Sequence, residues 1–374
     1  MDFTFTPEQD DAAALAARIL TDRATHERMR AVEGGGDRFD RDLWAELGRA
    51  GLLGLALPEE HDGAGLGLLE LCRVLVEVGR TVAPVPLAAH GPAALLLAEH
   101  GTEAQQAAWL PAAASGGCVV TAAVAEDRSF SPARPTTVAT AAGDKAEDGF
   151  TLTGSKSIVP AGTYADLFLV PADTGDGVAV FLVEPGDAGV GVVAQRFSDG
   201  DAVARLDLDA VVLGPDRLLG AADGAAAQRL RQLLVLAASA EQLGVTEGAL
   251  ALTAAYAKTR EQFGRPIGTF QAVSQRLADG FIDVLAQRLT LWQAAWRLSQ
   301  GLPAETEVAT AKLWAADAGH RLAHTTVHVH GGVGIDLDGT AHRYFTTAKR
   351  FEFLYGAGTE QALTVGRALA AEPA

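Results

Sequence analysis

Two stretches in the last third of the chain carry residue types that could hold an anion. Residues 256 to 279 read YAKTREQFGRPIGTFQAVSQRLAD. Arg260 and Gln262 can donate hydrogen bonds beside a turn at Gly264–Pro266, and Phe263 offers a face for stacking. A guanidinium fork suits a phosphate or carboxylate better than any other side chain. An ordinary turn between helices with a surface arginine uses the same residues. Residues 328 to 336 read HVHGGVGID, with three glycines after two histidines. Glycines there leave backbone N–H groups able to approach a ligand. A helix C-cap followed by a loop accounts equally well for Gly331 and Gly332. His328 and His330 alternate as zinc ligands do, but no third ligand stands at a sensible spacing, so a metal is not expected. A third stretch, EFLYGAGTEQ at 352 to 361, places Gly356, Ala357, Gly358 and Thr359 between an apolar run and a last amphipathic segment. Small residues admit a close neighbour.

Composition bounds what these stretches can serve. The 374 residues are 48% hydrophobic, too long a chain for one comfortable core, so two or three structural units are expected. The 47 Asp and Glu outweigh the 30 Lys and Arg, which argues against a nucleic-acid partner. Cys72 and Cys118 lie in different segments with no Cys or His at ligand spacing, and read as buried free thiols of a reducing cytoplasm. The opening MDFTFTPEQDD is acidic and lacks the basic-then-apolar pattern of a signal peptide. No apolar run reaches the roughly 20 residues of a membrane span, so the expectation is a cytoplasmic protein.

The elements that must position the motifs follow from periodicity. Thr6, Pro7 and Gln9 form a capping-box start, and AAALAARILTD continues it at helical spacing. RDLWAELGRAGLLG, LLELCRVLVEVGRTVAP and PAALLLAEHG read as further helices stopped by Gly or Pro. Near residue 116 the pattern becomes short and β-branched: TTVATAA, GFTLTGSKSIV, ADLFLVPAD, GVAVFLVEP, VGVVAQRF and AVARLDLDAVVL. That is a small antiparallel β unit, a sandwich or barrel. From about residue 223 the helical period returns in four long segments with short connections, as in a bundle. The expected division is an N-terminal helical domain at 1–115, a β domain at 116–222 and a four-helix bundle at 223–374, an α+β multidomain class.

The two motifs, in this order and on this α-β-α frame, resemble the acyl-CoA dehydrogenase family. FTPEQ, ALPEEHDGAGLG, REQFGRPIGTFQAVSQRLAD and HGGVG carry the resemblance over nearly the whole chain. It implies an acyl-CoA dehydrogenase-like fold, FAD as cofactor and assembly as a dimer of dimers, with part of each FAD reaching across to a neighbouring subunit. By resemblance, Arg260, Gln262, Phe263 and Gln271 touch the partner's FAD. His328 takes the place of a glutamine, the turn through Gly331 and Gly332 holds the adenosine end, and Thr359 meets a flavin.

The chain departs from the family where the family does its chemistry. α,β-Desaturation of an acyl-CoA thioester needs a partly desolvated carboxylate, because the C–H beside the carbonyl is a weak acid. The usual base is a Glu directly before Gly-Thr; here it is Ala357. The alternative position on the first long helix of the bundle falls at Leu234. Glu241 stands seven residues on, about 10 Å further along the axis, and reads better as a carboxylate in a polar contact. In the middle domain Thr121 is the single easy match to a flavin- and CoA-binding run. The tryptophan stretch that lies against the flavin ring is replaced by Lys156, Ile158, Val159 and Pro160, and Pro160 has no N–H to give.

The loss is selective: residues that lean on a neighbour's FAD are present, and those for the chain's own FAD and base are absent. The resemblance therefore points to the subunit without the glutamate in heteromeric α2β2 acyl-CoA dehydrogenases of actinobacteria, many of which act on CoA thioesters of steroid side chains. It implies a second acyl-CoA dehydrogenase subunit as partner, acyl-CoA bound mainly by that partner, and electron delivery to an electron-transfer flavoprotein. Two rivals stay open: a self-sufficient flavoenzyme with a relocated base or oxygenase-type chemistry, and a non-catalytic scaffold of the same fold.

Overall fold

The computed structural model describes residues 4–143 and 149–371; Met1–Phe3 of the opening acidic stretch lie outside them. Six helices lead: α1 (Pro7–Arg23), α2 (His26–Gly34), α3 (Arg41–Arg49), α4 (Leu68–Thr81), α5 (Leu87–His100) and α6 (Glu103–Ser115). The expected capping box forms. Gln9 N–H donates to the Thr6 hydroxyl at 3.3 Å and the Gln9 side-chain oxygen accepts the Thr6 N–H at 3.0 Å. Helices α2 and α6 were not foreseen, although α6 opens on the same device, with Thr102 and Gln105 capping each other. Pro92, expected at a helix start, lies inside α5, which begins five residues earlier.

The β unit is one eight-stranded sheet: β1 (Val120–Ala122), β2 (Val138–Ala141), β3 (Phe150–Pro160), β4 (Leu167–Asp173), β5 (Val178–Val183), β6 (Val190–Arg196), β7 (Ala202–Leu213) and β8 (Leu218–Leu219). Its order is β6-β7-β3-β2-β4-β5-β8, with β1 beside β4. The antiparallel expectation needs one correction, since β1 and β2 both pair with β4 in parallel. β4–β5 and β6–β7 are antiparallel neighbours in the chain, β3–β7 and β5–β8 are antiparallel across longer connections, and β1 and β2 reach β4 through connections long enough for parallel alignment. Alternating residues Phe150, Leu152, Phe168, Val170, Phe181, Leu206 and Leu208 bury one contiguous core.

Five helices follow: α7 (Ala225–Thr259), α8 (Gln271–Ser299), α9 (Glu305–His330), α10 (Ala341–Phe353) and α11 (Gly358–Ala371). The sequence reading named four of these and missed α10, whose polar residues blur its period. Helices α8, α10 and α11 all pack on α9. Against the expectation that no apolar run reaches the length of a membrane span, helix α7 is long and apolar enough by composition, but 89% of its apolar window is buried in the fold. Cys72 and Cys118 are buried free thiols, and burial pushes the Cys118 thiol up to about 12.

By contact density the chain divides into two compact units. One comprises 1–30, 72–83 and 238–374; the other comprises 31–71 and 84–237. Within the first, α4 and α7 cross closely: a Cβ at Gly79 would collide with the Glu241 carbonyl, and one at Gly244 with that of Val76.

Candidate functional site

Arg260 follows the last turn of α7, where its N–H donates to the Tyr256 carbonyl at 2.8 Å. The chain then doubles back through β9 (Glu261–Gln262) and β10 (Arg265–Pro266). Two residues connect them, Phe263 at φ 54° and Gly264 at φ 77°. Both angles are positive, the pattern of the tight hairpin turn whose twist matches its strands. The Ile267 N–H closes the loop on the Arg260 carbonyl at 2.8 Å. Phe263 stands 93% exposed at the tip, edge-on to Phe270 at 6.1 Å. The Arg265 guanidinium covers the Phe270 ring at 4.3 Å. Arg260, Gln262 and Gln271 are exposed too. Among the described residues the Arg260 guanidinium has no hydrogen-bond or ion-pair partner, whereas Arg205, Arg217, Arg229, Arg288 and Arg321 are all paired.

The glycine turn lies at the end of α9. Gly331 adopts φ 66° and ψ −143°, a combination that side chains other than hydrogen hardly permit. Nothing lies within 4 Å of where a Cβ would stand on Gly331 or Gly332, so the space beside this backbone is open. His328 is exposed. The His330 ring stacks on Tyr256 at 4.3 Å, and its Nδ1 donates to the Thr326 carbonyl at 2.8 Å. Beneath them Ala257, Ile267 and Val329 share a small apolar cluster with Phe270 and Val273. Arg260, Gln262, Phe263 and Gln271 thus sit beside His328, Gly331 and Gly332 on one surface of one compact unit.

The electrostatics of this surface are graded. Gln271 opens α8, whose N-terminus carries partial positive charge, and Arg260 stands close by with a full one. The glycine turn ends α9, where the partial charge is negative. An anionic group belongs at Arg260 and α8; a neutral group that donates hydrogen bonds belongs at the turn.

Thr359 lies elsewhere. It is in the first turn of α11, and Gly358 packs against Asp317 in the middle of α9. His328 is eleven residues further along α9 than Asp317, about 16 Å, so the structure does not bring Thr359 to the Arg260 surface. Around Thr359 the loop is held by its own groups. The Ala357 N–H donates to the Glu360 carboxylate at 3.1 Å, and the Gln361 amide to the Tyr355 carbonyl at 3.2 Å. Lys312, fully buried on α9, donates to the Phe351 carbonyl at 2.5 Å and the Glu352 carbonyl at 3.3 Å, capping α10. Burial pushes its ammonium down to about 7, against the pull of Glu352 and Glu360. The Tyr355 hydroxyl is buried without a partner, and burial raises its pKa.

Neither usual base position holds an acid: Ala357 has a methyl group and Leu234 is 1% exposed in apolar surroundings. Glu241 is buried and lies 3.5 Å from the Arg350 guanidinium. Burial beside a buried cation ties this carboxylate to a contact inside the fold.

In the other unit the middle-domain departures close on one another. The Thr121 hydroxyl donates to the Pro160 carbonyl at 2.7 Å, and Thr121 is fully buried. Lys156 Nζ meets Glu126 at 2.7 Å in a fully buried ion pair. Glu126 also accepts from the N–H and hydroxyl of both Thr136 and Thr137. Burial alone would raise this carboxyl, but Lys156 and the threonines hold it down at about 2. Ile158 stands at φ 53°, a costly angle for a β-branched residue, with its N–H donated to the Gln195 side chain at 3.2 Å.

Two clefts of about 260 and 290 Å³ open elsewhere on the first unit, one between Arg73, Glu247 and Trp292, the other between Arg276, Asp283 and His324. None of the candidate residues lines either one. The sequence reading missed Tyr256, His330 as a stacking partner, Lys312 and Glu126. Tyr256 carried a signal, one helical turn before Arg260; Lys312 and Glu126 carried none, because burial is not written in residue type.

Comparison with known proteins gives this geometry its context. Residues 6–117 match the acyl-CoA dehydrogenase N-terminal domain and residues 233–370 the acyl-CoA dehydrogenase C-terminal domain. The chain is 45% identical over 383 residues to the acyl-CoA dehydrogenase FadE27 of Mycobacterium tuberculosis, covering 100% of both chains. Among solved structures it matches a chain of the ChsE4-ChsE5 complex from Mycobacterium tuberculosis with a TM-score of 0.94 at 45% identity, covering 100% of both. A chain of the Tcur3481-Tcur3483 steroid ACAD matches with a TM-score of 0.91 at 42% identity, covering 97% of this chain and 98% of that one. With both terminal domains matched and a full-length relative at 45% identity, this chain belongs to the acyl-CoA dehydrogenase family.

Proposed function

We propose that this chain is the helper subunit of a heteromeric, FAD-dependent acyl-CoA dehydrogenase that desaturates an acyl-CoA thioester between its α and β carbons. The observation that carries the reading is an asymmetry. The Arg260 guanidinium and the backbone at Gly331 and Gly332 stand free and open, while Thr121, Lys156 and Glu241 are consumed by contacts inside the fold.

The open surface fits the adenosine diphosphate half of FAD. Arg260 and the α8 N-terminus would neutralise the pyrophosphate. Gln262 and Gln271 would add hydrogen bonds, Phe263 a stacking face, and the His328–Gly332 turn would receive the adenosine. FAD supplies the hydride acceptor, and a partner chain with an intact glutamate would supply the base. This chain's residues bind and orient; with Ala357 in place, none of them takes the substrate proton. Thr359 would touch cofactor separately from the other residues, on the loop around Ala357.

Exposed apolar side chains on this unit favour assembly. Phe281, Ile282, Leu285 and Leu289 of α8 and Leu363 and Leu369 of α11 are uncovered, which suits a subunit interface. An α2β2 tetramer agrees with the two-component names of the relatives, and the steroid ACAD among them favours a steroid side-chain CoA as substrate. Electron-transfer flavoprotein as acceptor, a cytoplasmic setting and domain boundaries at 115/116 and 222/223 belong to the same reading.

Purification tests it. Expressed alone, the chain should be colourless. Co-expressed with a family member that keeps the glutamate, it should form a yellow complex with one FAD per pair, and Arg260→Ala should lower FAD retention about tenfold or more, as for a lost charge-assisted contact. A homo-oligomer with stoichiometric FAD would overturn the helper role in favour of a self-sufficient enzyme. A colourless complex would favour a scaffold.

A further inference from the structure

We infer that Tyr256 and His330 are positioning residues that lock the two halves of the cofactor surface together. The inference rests on the proposed function, because that reading makes the surface a cofactor cradle.

The two halves come from distant parts of the sequence. Arg260 to Gln271 follow α7, and His328 to Gly332 end α9. Each half is built of elements that move easily. One is a two-strand hairpin with exposed strands, the other a turn whose first two glycines have open space beside them. A diphosphate with its nucleoside needs both halves at a fixed separation, since misplacement of a donor by about 1 Å costs much of a contact.

Tyr256 is bound on both sides. Its carbonyl accepts the Arg260 N–H at 2.8 Å, which sets where the hairpin leaves the helix. Its ring lies on the His330 imidazole at 4.3 Å and 23°. His330 is bound in turn. A carbonyl can only accept, so Nδ1 carries the proton in its 2.8 Å bond to Thr326, and that bond fixes the ring over the last turn of α9. Gly331 then departs at φ 66°, directly from a residue whose side chain is clamped. Gly334 packs back against the His330 Cβ, so the turn folds over the same ring. Arg260, Tyr256, His330 and Gly331 form one continuous physical chain. Ala257, Ile267 and Val329 pack below; of these, Ile267 meets Arg260 through its backbone N–H, and none carries the link from Arg260 to Gly331.

The test uses the co-expressed complex with FAD retention as the readout, and the isolated chain with amide hydrogen exchange. An aromatic pair contributes about 0.5–1.5 kcal/mol, or roughly twofold to twelvefold in an equilibrium constant. Tyr256→Leu and His330→Ala should each weaken FAD retention by about threefold to tenfold. The double variant should be little worse than either single one, because both break the same stack. Tyr256→Phe keeps the stack and should retain FAD within about twofold of the parent. In the isolated chain, Tyr256→Leu should speed exchange at Gly331–Gly334 and at Glu261–Arg265, with no cofactor involved. Unchanged FAD retention in Tyr256→Leu and His330→Ala, while Arg260→Ala still loses FAD, would overturn the inference and leave the proposed function standing. A lower melting temperature without loss of FAD would also overturn it, since that is what a purely structural pair would show. If Arg260→Ala retains FAD as well, the proposed function falls and takes the inference with it.

Discussion

The Arg350 guanidinium lies 3.5 Å from the Glu241 carboxylate, and both side chains are buried in the C-terminal unit. This contact gives a structural role to the one acid that sequence position left as a candidate base. A carboxylate beside a buried cation contributes to the fold, and its removal leaves that cation exposed to the full cost of burial.

Glu241→Gln should therefore cost about 3–5 kcal/mol of stability. The rate of flavin reduction in the assembled complex, measured per bound FAD, should stay within about threefold, roughly 0.7 kcal/mol. Stopped-flow reduction and denaturant unfolding read the two effects separately. A loss of about a hundredfold or more in reduction at full FAD occupancy would identify Glu241 as the base instead.

Ala357→Glu should not make the isolated chain a dehydrogenase. The carboxylate would return, but Thr121 would still be bound to Pro160, and Lys156 to Glu126. The expected product is colourless, with no reduction of an artificial electron acceptor by any acyl-CoA. Appearance of flavin-dependent turnover would show that the chain keeps a complete site of its own.

Lys156→Met should destabilise the protein by about 3–5 kcal/mol, because the Glu126 carboxyl would be left buried without its cation. Adding Glu126→Gln should recover most of the loss, since a neutral pair carries no such penalty. Glu126 itself gives the parent an acid-sensitive contribution. Its folded pKa, about 2, lies below the ordinary 4.5. The stability it adds is complete above 4.5 and is lost as pH falls from there towards 2. Unfolding followed from pH 6 down to pH 2 checks the window, and the double variant should show a shallower fall.

Lys312 should give a slope of the same sign in a separate window, at neutral to alkaline pH. Its folded pKa, about 7, lies below the ordinary 10.5. Between these values the unfolded chain holds a proton that the folded chain has shed, so this group's share of stability rises with pH across the window and is flat below it. Lys312→Met should remove that rise relative to the parent at each pH. It should also lose about 1–3 kcal/mol at all pH values, because the Phe351 and Glu352 carbonyls lose their donor. Parallel slopes for variant and parent between pH 7 and 10 would sink the assignment.

Much of the fold was legible in the order of residues. Thr6 with Gln9 predicted the first cap, and the β-branched run at 202–213 predicted β7 to the residue. These are local signals, carried by neighbours within a few positions. Helix α10 was missed because its face mixes Arg343, Lys349 and Arg350 with Phe345 and Phe351, and the two arginines are buried. A buried arginine breaks the pattern that periodicity depends on.

For the site, the sequence by itself determined which groups were present: an arginine and two glutamines beside a turn, a run of glycines after His330, and a methyl group rather than a carboxylate at Ala357. Absence of an acid is a covalent fact and needs no fold. Only the tertiary structure decided what those groups meet. It placed the Arg260 hairpin against the glycine turn through Tyr256 and His330, left the Arg260 guanidinium without a partner among the described residues, set Thr359 apart and put Glu241 beside Arg350. Such contacts join residues tens to more than a hundred positions apart, and their energies depend on burial and distance, which residue order does not contain.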